Sequence, residues 1–122
     1  MNLRAIEVKA YVPAQDFALS RAFYRELGFA ECWATDELAC FGRDGAAFLL
    51  QNFDAPGHAA SFQMHLLVDD ADGWWRSIQA SALVDRYGVR AEPPEDRPWG
   101  MRDLVLFDPS GVLWRIGHAL NR

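Results

Sequence analysis

The sequence predicts an α+β fold in which two tandem βαβββ units form a paired, curled mixed sheet. Two observations lead to this prediction. Apolar residues alternate at strand spacing and then recur at helical spacing, and this order occurs twice along the chain. The turns Phe41–Gly45 and Phe107–Gly111 also occupy equivalent places in the two halves. Because neither half could cover its own sheet, we expect one domain over residues 1–122, with repeat units at about 1–52 and 62–122.

The first half is predicted to form a strand, a helix and three further strands. The first strand spans Ile6–Val12 and is expected to end at Pro13. Asp16 can cap the following helix, FALSRAFYREL, and Gly28 can end it. Three short strands then follow, FAECWAT, ELACFG and AAFLLQN, the last two joined by a turn at Arg43-Asp44-Gly45.

The second half repeats this order after a linker of small and turn-forming residues at 53–61. FQMHLLV is predicted to be a strand, and Asp69 and Asp70 can cap the helix ADGWWRSIQASAL. The stretch LVDRYGVRAEP is expected to supply a short strand before an acidic, proline-rich loop, PPEDRP. A closing hairpin is predicted from MRDLVLF and GVLWRIG.

Composition narrows the classes of partner and the cellular compartment. A net charge of -5 disfavours nucleic acid and anionic membranes and attracts cationic small molecules. No apolar run reaches the eighteen or so residues of a membrane span, and the N-terminal residues have a strand-like pattern in place of a signal sequence, so we expect a cytoplasmic protein. Cys32 and Cys40 match neither a CxxC pair nor a zinc knuckle and are expected to be free thiols.

Two motifs carry a resemblance to a known family. The first is VPAQDFALSRAFYRELGF, and the second is DPSGVLWRIG with Trp99-Gly100 just upstream. In register with the internal repeat, they resemble the glyoxalase/bleomycin-resistance group, also called the vicinal oxygen chelate superfamily, over nearly the whole chain. The bleomycin-resistance branch is the most similar. The resemblance implies a groove between curled sheets and a homodimer, either swapped or side by side.

The resemblance also implies four positions at which metal-dependent members hold their ligands. Here these positions carry Lys9, Leu49, Gln63 and Arg115. Only Gln63 could coordinate, because Lys and Arg offer no lone pair at neutral pH and Leu offers no donor atom. His65 shares the face of Gln63, but one His and one Gln are a poor ligand set. We therefore expect no metal and no other cofactor, unless the register is shifted by two residues.

Several groove residues are candidates for ligand contact. Lys9 and Arg115 could together hold a carboxylate or phosphate, or could instead pair with nearby acids. Tyr11 could donate a hydrogen bond or act as a general acid, or could simply form part of the wall. Trp99, in a loop, is the best stacking candidate. No catalytic residue is assigned, and the predicted ligand-binding set is Lys9, Tyr11, Gln63, His65, Trp99 and Arg115.

Strand alternation separates the aromatic residues of the sheets. Trp114 adjoins Arg115 and Phe48 adjoins Leu49, so both aromatics should face the helices and belong to the core. Trp33 is not assigned to either side.

The sequence favours a metal-independent small-molecule-binding protein that resembles bleomycin-resistance proteins and sequesters a ligand, such as a bleomycin-like antibiotic, in a homodimer groove. Binding without catalysis is favoured. The alternative is a glyoxalase/dioxygenase-type enzyme, a lyase, isomerase or dioxygenase, that acts on a small metabolite through Tyr11, His65 or Arg115. A third hypothesis is a regulatory binding module. The sequence does not name the ligand.

Overall fold

The computed structural model describes residues 1–121 and contains two four-stranded sheets, which we call sheet A and sheet B. Sheet A is formed by the first half of the chain and sheet B by the second half. The first half comprises β1 (Tyr11–Ala14), α1 (Phe17–Leu27), β2 (Ala30–Ala34), β3 (Leu38–Arg43) and β4 (Ala46–Asn52). After a short 3-10 helix at Ala59–Ser61, the second half comprises β5 (Gln63–Leu67), α2 (Ala71–Ala80), α3 (Leu83–Tyr87), β6 (Ala91–Asp96), β7 (Met101–Phe107) and β8 (Leu113–Ala119).

The two sheets have the same topology. The strand order is β1-β4-β3-β2 in sheet A and β5-β8-β7-β6 in sheet B. In each sheet the first strand runs parallel to the last strand of its half, and the other pairs are antiparallel. The predicted α+β fold of two repeated units is confirmed.

The α1 helix has the bounds that its sequence signals predict. The Asp16 carboxylate accepts a hydrogen bond from the backbone N–H of Leu19 at 3.1 Å, which caps the first turn. Gly28 ends the helix with a φ of 122°, a conformation that strongly favours glycine. The predicted turn between β3 and β4 is present as well, with Asp44 at a φ of 52°.

The prediction of a first strand at Ile6–Val12 is wrong in its bounds. The strand begins at Tyr11 and includes Pro13, which was expected to end it. Residues 1–10 form neither a strand nor a helix. An alternating apolar pattern needs a neighbouring strand to pair with, and within the described residues the pairing with β4 reaches back only to Ala10, whose carbonyl accepts from the backbone N–H of Leu49 at 3.0 Å. Pro13 is tolerated because β1 lies at the edge of its sheet, where only one side needs backbone donors.

The second half departs from its predicted elements in one region. The stretch expected to form a strand begins with α3 at Leu83–Tyr87, and the proline-rich segment expected to be a loop forms strand β6 at Ala91–Asp96. A register shift between Glu92 and Glu95 accommodates two consecutive prolines. Because β6 is an edge strand, these prolines remove no hydrogen bond from the middle of the sheet.

Tyr24 of α1 lies at the centre of one core that is shared by both halves. Its hydroxyl donates to Oδ2 of Asp108 at 2.5 Å and accepts from Nε1 of Trp114 at 2.8 Å. The rings of Phe48 and Trp114 are 5.2 Å apart, and both are buried as predicted. Burial raises the pKa of Tyr24 well above its usual value, and the nearby Asp108 carboxylate raises this pKa further. Burial also raises the pKa of Asp108.

This core determines which side of each sheet is available to a ligand. Phe48 belongs to sheet A and Trp114 to sheet B, and both contact the same aromatic cluster. We call the sides that carry these residues the inner faces. The opposite sides, the outer faces, point away from the core, and strand alternation assigns every other residue to them.

None of the helices within residues 1–121 has both the length and the apolar character needed to cross a membrane.

Candidate functional site

The outer face of sheet A carries a row of side chains that runs across all four strands. Backbone register aligns Tyr11 with Leu49, Leu49 with Cys40 and Cys40 with Trp33. Cross-strand partners share a face, so these four side chains are neighbours. Tyr11 and Trp33 are exposed aromatic residues at the two ends of the row. Lys9, two residues before Tyr11, is on the same side and forms an ion pair with Glu7.

The outer face of sheet B carries three of the predicted ligand-binding residues. His65 is the direct register partner of Arg115, and Gln63 lies two residues before His65 on the same strand. Gln63 and His65 are exposed, whereas Arg115 is half-buried. These polar side chains form a surface that can exchange hydrogen bonds with a ligand.

Asp103 is the charged centre of the outer face of sheet B. It is only 1% exposed and accepts from Nε of Arg97 at 2.8 Å and from Nη1 of Arg115 at 3.3 Å. Gly117, its register partner, makes room for it, because a Cβ on Gly117 would lie 2.7 Å from the Cβ of Asp103. Arg97 also pairs with Glu95 at 2.9 Å. Carboxylates therefore already compensate the two guanidinium charges.

Trp99 stands beside this charged centre. It lies in the turn between β6 and β7, and its side chain is 59% exposed. The guanidinium carbon of Arg115 lies 5.5 Å from the Trp99 ring centroid, which is cation–π distance. This contact holds Trp99 next to the outer face of sheet B, where its remaining ring surface is accessible to a planar ligand.

The six predicted ligand-binding residues form two groups within one chain. Lys9 and Tyr11 belong to the outer face of sheet A, whereas the outer face of sheet B holds the other four, namely Gln63, His65, Trp99 and Arg115. Lys9 and Arg115 lie at different sheets, and each forms an ion pair with a different acid. The alternative of pairing with nearby acids is the one that the structure shows.

A cavity of about 780 Å³ lies at the edge of β5, between the turn after β3 and the start of α2. His65 lines it together with Arg43, Asp70 and Trp74. The Arg43 guanidinium sits 4.7 Å from the Trp74 ring centroid. Sequence reasoning missed this cavity, because its walls come from both halves and no motif marks them. Of the predicted residues, only His65 contributes to it.

The residues at the four positions that the resemblance implies for metal ligands do not fit a divalent cation. Leu49 has no donor atom, and Lys9 and Arg115 are occupied by carboxylates. Gln63 is the remaining donor of the four, and a single amide oxygen is too weak a ligand set. Elsewhere in residues 1–121, no three His, Cys, Asp or Glu side chains cluster in a way that could hold a metal.

Comparison with known proteins places this geometry in a family. The family model described as Glyoxalase/Bleomycin resistance protein/Dioxygenase superfamily matches residues 8–116. A bleomycin resistance protein from Klebsiella pneumoniae is 28% identical over 110 residues, which cover 86% of each chain.

Solved structures show the same fold. A bleomycin-binding protein complexed with bleomycin has a TM-score of 0.77 and 25% identity, covering 93% of this chain and 98% of that one. A lactoylglutathione lyase from Agrobacterium tumefaciens has a TM-score of 0.69 and 18% identity, covering 94% and 95%. The fold thus occurs both in antibiotic-binding proteins and in enzymes.

Proposed function

Because the chain belongs to the glyoxalase/bleomycin resistance protein/dioxygenase superfamily, we propose that it is a metal-independent small-molecule-binding protein of the bleomycin-resistance type. It sequesters its ligand in a groove between two copies of the chain, and no bond is made or broken. The outer face of sheet A from one copy and the outer face of sheet B from the other form the walls. The free thiols Cys32 and Cys40 fit a reducing compartment, and the proposal places the protein in the cytoplasm.

The observation that carries this proposal is the set of exposed aromatic residues on the two outer faces, Tyr11, Trp33 and Trp99. A planar ligand can stack on these exposed rings, and its polar groups can bind the ion-paired side chains beside them. Arg97 and Arg115 are offset by Asp103 and by Glu95 of β6, so a cationic ligand meets no net positive charge from these groups. This supports a bleomycin-like antibiotic, the ligand bound in the similar solved structure.

Trp99→Ala is expected to weaken bleomycin binding about 30-fold, because a stacked aromatic anchor contributes about 2 kcal/mol. Isothermal titration calorimetry of the wild type and the variant measures the change. Bleomycin recovered after incubation should be chemically unchanged.

Phe53→Ala is the matched control for this experiment, since Phe53 is also an exposed aromatic but lies in the linker after β4. Its affinity should equal that of the wild type. If the wild type shows no heat of binding and no change in thermal midpoint at high micromolar bleomycin, the antibiotic proposal fails.

The N-terminal residues support the homodimer. Leu3, Ile6 and Val8 are 84%, 80% and 95% exposed, which is unusual for large apolar side chains in sequence proximity. Strands β1 and β5 are both edge strands with one side unpaired within the described residues. An extended arm of residues 1–10 from a second copy could pair with such an edge and bury these side chains. The proposal therefore includes an exchange of N-terminal arms.

Replacing Ile6 and Val8 together by Asp is expected to raise the dimer dissociation constant at least about 100-fold, since burial of each side chain contributes about 1.5–3 kcal/mol. Analytical ultracentrifugation over a dilution series measures this change. Leu19→Asp is the control, because Leu19 is an exposed apolar residue on α1, outside the arm. A wild type that is monomeric at all concentrations would contradict the arm exchange.

The alternative of a glyoxalase/dioxygenase-type enzyme is supported by the structural similarity to lactoylglutathione lyase. His65 and Arg115 are cross-strand neighbours on β5 and β8, which gives this alternative a candidate acid–base centre. We favour binding, because the family's metal-assisted chemistry has no suitable ligand set here. If the wild type converts a hemithioacetal and His65→Ala does not, the protein is an enzyme of this type and the binding proposal is wrong.

A further inference from the structure

A bulge in β2 brings the two cysteines to the same face of sheet A. Glu31 pairs with Phe41 and Trp33 pairs with Cys40, so Cys32 is an extra residue opposite Cys40. Glu31 points to the inner side, where it bonds to arginines of α1, and strand alternation then places Cys32 on the outer face. Cys40 neighbours the inward-facing Phe41 and is also on the outer face.

The two thiols are neighbours on this face, with Cys32 in the bulge opposite Cys40. The Cys32 sulfur lies 3.5 Å from the position that a Cβ would take on Gly42, so the absence of a side chain there makes room for it. Burial raises the pKa of Cys40, and a hydrogen bond with Cys32 raises this pKa further, while the positive charge of Lys9 lowers it in part. Both cysteines and Lys9 line a depression of about 500 Å³ that opens to solvent.

The pair is asymmetric in its access to solvent. Cys32 is exposed, whereas Cys40 is 5% exposed. An oxidant therefore reaches Cys32 first, and the buried partner is held next to it. This arrangement is that of an attacking thiol with an adjacent resolving thiol.

We propose that Cys32 and Cys40 are a site of reversible oxidation, at which a hydroperoxide converts the two thiols into an intrachain disulfide between β2 and β3. In a bulge two residues of one strand lie opposite a single residue of its partner, so Cys32 and Trp33 both lie opposite Cys40. This brings Cys32 toward the Cα separation of about 4.4–6.8 Å that a disulfide spans. The site is independent of the proposed ligand, although it lies on the same outer face as Tyr11 and Trp33.

The reaction balances with one hydroperoxide for each disulfide. The Cys32 thiolate attacks a peroxide oxygen, the O–O bond breaks, and the leaving hydroxide takes up a proton to become water. Cys32 is then a sulfenic acid. The Cys40 thiolate attacks the sulfenic sulfur, the S–O bond breaks, and a second water leaves with the proton of Cys40. Two thiols have lost two electrons, and hydrogen peroxide has been reduced to two waters.

Hydrogen peroxide added to the reduced protein should remove both free thiols and produce a peptide in which Cys32 is linked to Cys40, detected by mass spectrometry after non-reducing digestion. Dithiothreitol should restore both thiols. In Cys40→Ala, Cys32 should instead proceed to sulfinic or sulfonic acid, because no resolving thiol is present. In Cys32→Ala, the buried Cys40 should lose its thiol at least about tenfold more slowly than Cys32 does in the wild type.

Circular dichroism of each variant establishes that the sheet is intact. The site is refuted if wild-type Cys32 is overoxidised while Cys40 stays a thiol, or if the product is a disulfide between two chains. Absence of bleomycin binding leaves these outcomes unaffected, so failure of the proposed function and failure of the thiol site are distinguishable.

Discussion

Replacing Tyr24 by Phe is expected to lower the free energy of unfolding by about 3 kcal/mol, because it leaves two buried polar groups without partners. The Trp114 indole N–H loses its acceptor, and an oxygen of the buried Asp108 carboxylate loses its donor. The ring itself is retained, so packing changes little. Chemical denaturation measures the loss, and Tm should fall by roughly 10 °C.

Tyr87→Phe is the matched control for this variant. Tyr87 also loses a hydrogen bond to a carboxylate, but its partner Glu26 is at the surface, where water replaces the lost group. Its cost should stay below about 1 kcal/mol. Equal losses in the two variants would show that burial of the Tyr24 hydroxyl does not determine stability.

Asp103→Asn is expected to have the second largest effect, because it removes the carboxylate that compensates Arg97 and Arg115. The loss in unfolding free energy should be about 2 kcal/mol, less than for a fully buried ion pair, since the Arg115 side chain remains 34% exposed and is screened by water. The outer face of sheet B also becomes more positive, which should weaken binding of a cationic ligand at least about tenfold. Denaturation and calorimetric titration measure the two effects.

Asp96→Asn provides the control, because Asp96 pairs with Arg102 at 3.0 Å at the exposed end of β6. It removes the same charge from an exposed ion pair. If it weakens ligand binding as strongly as Asp103→Asn does, the effect belongs to the net charge of the protein and the outer face of sheet B has no special role.

Local signals predicted the elements that do not depend on a partner strand. Asp16 and Gly28 define α1 because a cap and a stop act within a few residues of chain. The positions of Phe48 and Trp114 in the core followed from strand alternation, since each adjoins a residue that faces outward. These features depend on neighbouring residues alone, so they can be predicted from the sequence.

The predictions that are wrong concern segments whose conformation depends on contacts with distant parts of the chain. Ile6–Val12 has a strand pattern, but only Tyr11 and Val12 belong to β1, and within the described residues the backbone pairing with β4 reaches back only to Ala10. The prolines of β6 suggest a loop, yet an edge strand with a bulge accepts them. The proximity of Cys32 and Cys40 could likewise not be predicted from the sequence, because it depends on a bulge that no residue type indicates.

Ion pairing in the site was also beyond prediction from the sequence. Asp103 was not singled out, since it lies within an apolar strand and no motif connects it with Arg97 or Arg115. The pairing of β6 with β7 brings Arg97 to Asp103, and the pairing of β7 with β8 brings Arg115 there. The sequence therefore left open whether Arg115 pairs with an acid, and it did not indicate that this acid is Asp103.

The hydrogen-bonded contact of Tyr24 with Trp114 and Asp108 has a consequence for how the two halves depend on each other. Each half contributes groups that the other must satisfy, so neither is a complete folding unit, although both have the same topology. The linker at residues 53–61 contributes little to this core, apart from the buried Ala59. Unfolding of either half is therefore expected to unfold the other in a single cooperative transition.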